Sequence, residues 1–89
     1  MKAIVTVVGK DQVGIIAGVC TALAAYNVNV LDISQTVMQG YFTMMMVVDV
    51  SGANCPMAEL AQKLDEKGKE MGLSIRLQRE DIFEAMHRV

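Results

Sequence analysis

The stretch Val7-Val8-Gly9-Lys10-Asp11-Gln12-Val13-Gly14-Ile15-Ile16-Ala17 decides the fold, because it passes from an apolar run through a turn-rich loop into helical spacing. On its N-terminal side, Lys2 to Val8 read as a strand. Both alternating sets are mostly apolar: Ala3, Val5 and Val7 on one side, Ile4, Thr6 and Val8 on the other. A strand of that kind is central and covered on both faces. On its C-terminal side, the pattern predicts a helix from about Gly14 to Tyr26. Ile16, Val19, Cys20 and Leu23 recur at helical intervals, and Ala17, Gly18, Ala22, Ala24 and Ala25 are small enough to let the helix lie close to its neighbours.

Further along, Asn27 is placed to end that helix. Val28 to Met38 form a second strand, Gln39-Gly40 a two-residue turn, and Tyr41 to Val50 a third strand. The short turn fixes a register. Met38 faces Tyr41, Val37 faces Phe42, Gln35 faces Met44, Ile33 faces Met46 and Leu31 faces Val48. All but Gln35 are apolar, so this is the expected core face. The other face pairs Thr36 with Thr43, Ser34 with Met45, Asp32 with Val47 and Val30 with Asp49, and it is mixed. Gln35 breaks the apolar set. It calls for a bulge that turns it outward or for buried hydrogen-bond partners.

A second helix follows to about Met71, with Pro56 in its first turn and Asn54 or Cys55 near the cap. Met57, Leu60, Leu64 and Met71 line one side. Glu59–Lys63 and Asp65–Lys69 are i,i+4 ion pairs on the other, worth about 0.2–0.5 kcal/mol each. Gly72 stops the helix. Leu73, Ile75 and Leu77 then alternate with polar residues in a fourth strand. Asp81 to Val89 read as a short tail helix with Ile82 or Phe83, Met86 and Val89 on one side.

The order is β-α-β-β-α-β with a C-terminal helix. This is an α+β, ferredoxin-like sandwich: a four-stranded antiparallel sheet with two helices on one face, strands one and three in the centre. Residues 1–80 make the domain and 81–89 the helical tail. The helix-free face would carry Ile4, Val8, Met45 and Val47, an apolar patch that suggests a partner surface and hence a homodimer.

Composition narrows the function. The 89 residues fit one domain, and 53% hydrophobic content excludes disorder. No apolar run approaches the ~20 residues of a membrane helix, and MKAIVTVVGK reads as a strand rather than a signal peptide. The net charge is −2, with eight scattered Lys and Arg, so direct nucleic-acid binding is not expected. Cys20 and Cys55 form no metal-ligand cluster, and without a secretion signal they fit a reduced cytoplasm. The methionine-rich run Met44-Met45-Met46 suits core and dimer packing.

This topology serves several chemistries, so the first loop must discriminate among them. A metal carrier needs a cysteine pair there, and an acyl-phosphate hydrolase needs an arginine. The loop Gly9 to Ile16 has neither. RNA binding needs aromatics on the open faces of strands one and three, and strand one has none. The lone His87 lies in the tail, away from any nucleophile–base pair. No catalytic residue and no cofactor are expected. What remains is a helix N-terminus with unpaired N–H groups and partial positive charge, with Gly14 allowing an anion to approach and Asp11 able to accept an ammonium. Together they suit a zwitterion such as an amino acid. Equally, Asp11 can serve as a helix cap and Gly14 as an eased turn.

The stretch from Val7 to Ala17, followed by Asn27-Val28-Asn29-Val30-Leu31-Asp32-Ile33-Ser34-Gln35, resembles the ACT domain family of amino-acid-sensing regulatory domains. The resemblance spans essentially the whole chain. It is nearest to stand-alone single-ACT-domain proteins and to the ACT units of the glycine-cleavage transcriptional repressor. It implies a binding role, pairing into dimers, and an amino acid held between the first loop and the second strand. Carried onto this chain, the ligand-binding residues are Asp11, Gly14, Ile15 and Ile16 on the loop, and Asn29, Leu31 and Asp32 on the strand. Many ACT domains have Pro before the Gly, where this chain has Val13. Most also regulate an enzyme or repressor on the same chain, so here the output runs through a separate enzyme or regulator or through oligomerisation. The alternative is an interaction module of the same fold that has lost its ligand.

Overall fold

The computed structural model describes residues 1–81, and the expected tail helix therefore lies almost wholly outside the described residues. Six elements follow in order: β1 (Lys2–Lys10), α1 (Ile15–Ala25), β2 (Asn29–Met38), β3 (Tyr41–Asp49), α2 (Met57–Met71) and β4 (Ser74–Arg79). The strands form one antiparallel sheet in the order β2-β3-β1-β4, with β1 and β3 central. This is the expected βαββαβ sandwich.

The core lies between one face of the sheet and both helices. Ala3, Val5 and Val7 of β1 and Met44, Met46 and Val48 of β3 are fully buried against Val19 and Leu23 of α1 and Leu60 and Leu64 of α2. Among the described residues no polar or charged one is buried with them. α2 also carries Gly68 on its buried side, where a Cβ would stand 2.7 Å from the Leu73 carbonyl oxygen. The helix thus needs a missing side chain to lie against the start of β4.

The hairpin register holds from Met38–Tyr41 to Asp32–Val47. Gln39 and Gly40 both have positive φ, 51° and 81°, as a two-residue turn matched to sheet twist requires. Beyond Asp32 the register differs from expectation. Val30 pairs with Val48 and Asn29 with Asp49, so Leu31 is the extra residue of a bulge. Nothing in the composition around Leu31 marks it, since it has neither a glycine nor a proline beside it. Gln35 needs no bulge of its own: it pairs with Met44 and stays exposed.

That exposure shows a second departure. The face shared by Ile33, Gln35 and Val37 is the core face on β3, yet on β2 these side chains are not covered. Ile33 is 41% and Val37 55% exposed. Only Val30 of β2 packs partly against the core, and the rest of the strand is left as an outer strip. Alternation reports which residues share a face but not whether that face is covered.

Loops stitch the ends together. Asn27 has a positive φ of 59° just past α1, and its side chain donates to the Gly52 carbonyl at 2.7 Å. Asn54 does not cap α2, whose N-cap is Pro56; its side chain donates instead to the Ala25 carbonyl at 3.4 Å. On the solvated side of α2, Lys69 pairs with Asp65 at 3.3 Å as expected, but Lys63 pairs with Glu66 at 3.8 Å rather than with Glu59. Such exposed pairs contribute little. Asp49 accepts the Ser51 backbone N–H at 2.9 Å, which, ahead of the neighbouring N-terminal ammonium, holds its carboxyl below the usual aspartate value.

Replacing Gly68 by alanine isolates the helix–strand contact. Helix propensity alone would favour Gly68→Ala by about 1 kcal/mol, whereas the backbone clash with Leu73 should reverse the sign. A net loss of about 1–3 kcal/mol, read from the urea midpoint, is the expected outcome.

Candidate functional site

The β1–α1 loop is held from two sides. The Asp11 backbone N–H donates to the Gly40 carbonyl of the hairpin turn at 2.8 Å. The Gln12 side chain donates through Nε2 to the Met71 carbonyl at the end of α2, 2.9 Å away. Between these ties and the helix, Val13 stands at the tip, wholly exposed. Gly9 matters upstream, because a Cβ there would run into the Leu73 side chain.

Gly14 is the N-cap of α1 at φ 88°, a left-handed conformation that glycine adopts without cost. Its carbonyl already accepts the Gly18 N–H at 2.8 Å. No side chain caps the helix, and its first turn contains no acid. Asp11 therefore does not act as the cap. The N–H groups of the first turn point outward with the positive end of the helix dipole, without a protein carboxylate to answer them.

Here lies a cleft of about 430 Å³, lined by Asp11, Gln12, Gly14, Ile15, Ile16 and Ala17 from the loop and helix, and by Gln35, Val37 and Phe42 from the hairpin. Its walls differ in kind. The helix end offers donors, Asp11 and Gln35 offer acceptors, and Val37, Phe42 and Ile16 are apolar. Such a lining can take a small molecule that carries opposite charges at one end and carbon at the other.

The four loop residues singled out in the sequence, Asp11, Gly14, Ile15 and Ile16, are thus brought together. The three strand residues, Asn29, Leu31 and Asp32, are not among the cleft's lining. They occupy the opposite end of β2, where Leu31 forms the bulge and the Asp32 carboxylate accepts the Ile33 backbone N–H at 2.9 Å. Gln35, Val37, Phe42 and Gln12 are the lining residues that the sequence did not single out. Gln35 carried a signal: a polar residue interrupting an apolar face beside the turn.

Among the described residues no cluster of three His, Cys, Asp or Glu could hold a metal ion, and Cys20 and Cys55 are free and half-buried. None of the described helices is long and apolar enough to cross a membrane.

The fold defines the class: a ferredoxin-like domain with a cleft at its first loop. A family model described as ACT domain matches residues 2–78, and the chain belongs to the ACT domain family, whose members are typically ligand-binding regulatory modules. It is similar to a UPF0237 protein of Clostridium acetobutylicum, 56% identical over 89 residues that make up the whole of both chains. Among solved structures it is similar to an ACT domain protein from Streptococcus pneumoniae, with a TM-score of 0.83 and 46% identity over 98% of each chain. A putative glycine cleavage system transcriptional repressor shares the fold, with a TM-score of 0.73 and 20% identity over 86% of this chain and 44% of that one.

The open space around Gly14 makes its backbone the sole constraint there, since nothing lies within 4 Å of where a Cβ would be. Gly14→Ala should cost about 1–2 kcal/mol of stability. Gly14→Asn should cost less, because asparagine tolerates positive φ better. Paired thermal melts compare the two.

Proposed function

We propose that this chain is a regulatory module that binds an amino acid and acts as a homodimer, with no catalytic step of its own. One observation carries the reading: the uncapped N-terminus of α1 opens into a cleft that also holds the Asp11 carboxylate and an apolar wall. The first-turn N–H groups take the ligand carboxylate. Asp11 takes the ammonium, and Ile16, Val37 and Phe42 face the side chain. The two free cysteines suit a reduced, cytoplasmic setting. The output passes to a separate enzyme or regulator.

The exposed edge of β2 supports the dimer. β2 is an edge strand of ten residues with no Lys or Pro and with exposed Leu31, Ile33 and Val37, and an unguarded edge of that kind recruits another strand. A second copy pairing antiparallel about a two-fold axis near Ser34 would set its Leu31 opposite Val37 and its Asp32 opposite Thr36. In that arrangement Asn29, Leu31 and Asp32 serve the cleft of the neighbouring copy. No like charges meet across the axis, and one patch meets itself, as a two-fold interface demands.

Two measurements test this reading. In a thermal-shift screen of the twenty amino acids, a true ligand at 100 times its Kd should stabilise the fold by about 2.7 kcal/mol. Asp11→Ala should abolish the shift without lowering the unliganded midpoint. A chain that forms a dimer yet responds to none of the twenty would be an interaction module instead.

Light scattering on the native chain should return twice the 9.7 kDa monomer mass. Ile33→Lys, which places a charge beside its own symmetry mate, should return the monomer with the circular dichroism spectrum intact. A native chain that is monomeric at tens of micromolar would remove the dimer.

A further inference from the structure

An amino acid held by its charged groups at Asp11 and the start of α1 would turn its side chain toward the hairpin wall of the cleft, where Gln35, Val37 and Phe42 stand. Charge is the first discriminator there. Among the described residues that line the cleft, Asp11 is the one that ionises, and the ligand's own ammonium already answers it. Lys10, the nearest cation along the chain, lies on the other side of the sheet. A Cβ on Gly9 would meet Leu73, on the helix side, so alternation sends Lys10 to the helix-free side beside Tyr41. An acidic side chain on the ligand would enter next to a carboxylate and find no cation. A basic one would find no second acid. Either charge would lose water against Val37 and Phe42 without compensation.

Hydrogen bonding is the second. Gln35 and Val37 share with Ile33 one face of β2, the face that the cleft touches, and Gln35 is its polar member. Its strand partner, Met44, is fully buried and apolar. Among the described residues the Gln35 carboxamide, exposed on its strand, has no hydrogen-bond partner. A carboxamide offers two donor hydrogens and one acceptor oxygen, so it can bond a neutral hydroxyl or amide without bringing a charge into the cleft.

We propose that the cleft takes a neutral amino acid whose side chain ends in a hydroxyl or carboxamide, and that Gln35 reads that group. This assignment rests on the amino-acid reading of the cleft. The layout agrees. The Asp11 N–H is tied to Gly40 in the hairpin turn, so the charged end of the ligand sits near the turn. Val37 comes next along β2, and Gln35 lies two residues, about 7 Å, deeper on the same face. The ligand's side-chain carbons then pass Val37 and Ile16, and its polar end meets the carboxamide. An aliphatic side chain of the same shape fills the same space and leaves the carboxamide in water. Because Gln35 is exposed, the difference is one neutral hydrogen bond, a factor of about 2–10 in affinity.

Titration calorimetry on the native chain tests it with shape-matched pairs: serine and alanine, threonine and valine, asparagine and leucine, glutamine and methionine. The other amino acids complete the panel. The tightest ligand should be one of the polar members, and it should outbind its matched partner about 2–10-fold. Gln35→Met keeps the length of the side chain and removes the carboxamide. It should bring the two members of that pair to equal affinity without weakening the apolar one. A tightest ligand outside the polar members, or a Gln35→Met variant that keeps the preference, would overturn the role given to Gln35 and leave the amino-acid reading standing. Binding by none of the twenty would remove both.

Discussion

Everything in this fold depends on β1 being buried on both edges and packed on its inner face. It hydrogen-bonds to β3 on one side and β4 on the other, and Ala3, Val5 and Val7 have no exposure at all. A strand in that position must be mostly apolar, and from Ala3 to Val8 only Thr6 is not. Once β1 is central, α1 and α2 gather over it. α1 fits with the small residues of its surface, and its Gly18 lies against the Met71 side chain. The cost of this arrangement falls on β2. It has one hydrogen-bonded neighbour, and only Val30 of its inner face packs against the core.

The site is a by-product of the same constraint. The chain must leave β1 and re-enter the core as α1, so the loop from Lys10 to Gly14 emerges at the end of the sheet where the β2–β3 turn also lies. The Asp11–Gly40 bond joins the two. The loop's other anchor, Gln12 to Met71, ties it to the end of α2. A loop fixed at both sides presents the start of α1 in one orientation, and Gly14 makes the turn into the helix without strain. What is left between the helix end and the uncovered strip of β2 is the cleft. Its polar wall comes from local sequence, and its apolar wall comes from topology.

This division explains how much could be read from the chain. The loop half of the cleft was legible because adjacent residues build it: Asp11, Gly14, Ile15 and Ile16 act within one turn of backbone. The hairpin half was not, because Gln35, Val37 and Phe42 reach the cleft only through strand order. Alternation put Ile33 and Val37 on the core face correctly, but it cannot report that most of β2 lies outside the core. Hairpin register was readable from Gln39-Gly40 as far as Asp32. It failed at Leu31 because a bulge is decided by pairing energy along the whole ladder rather than by a marked residue. Asn54 looked like a helix cap and is instead a clasp on the end of α1. Both uses ask for a short side chain with a free amide or carbonyl, so residue type alone does not separate them.

The uncovered surfaces of the sheet then differ in what can satisfy them. The edge of β2 has open backbone donors and acceptors, and only another strand can pair with them along their length. A second copy of β2 meets that need without placing like charges together, because Asp32 is the strand's only charged residue. The Ile4–Val47 row of the helix-free face offers no backbone groups, only apolar area. Edge pairing between copies would be driven by the length of the strand. The two surfaces therefore differ in the partner that would satisfy them: apolar area for the face, a strand for the edge. The cleft lies against that edge, since Gln35 and Val37 of β2 line it, so in the proposed dimer the ligand and the second copy would share a boundary.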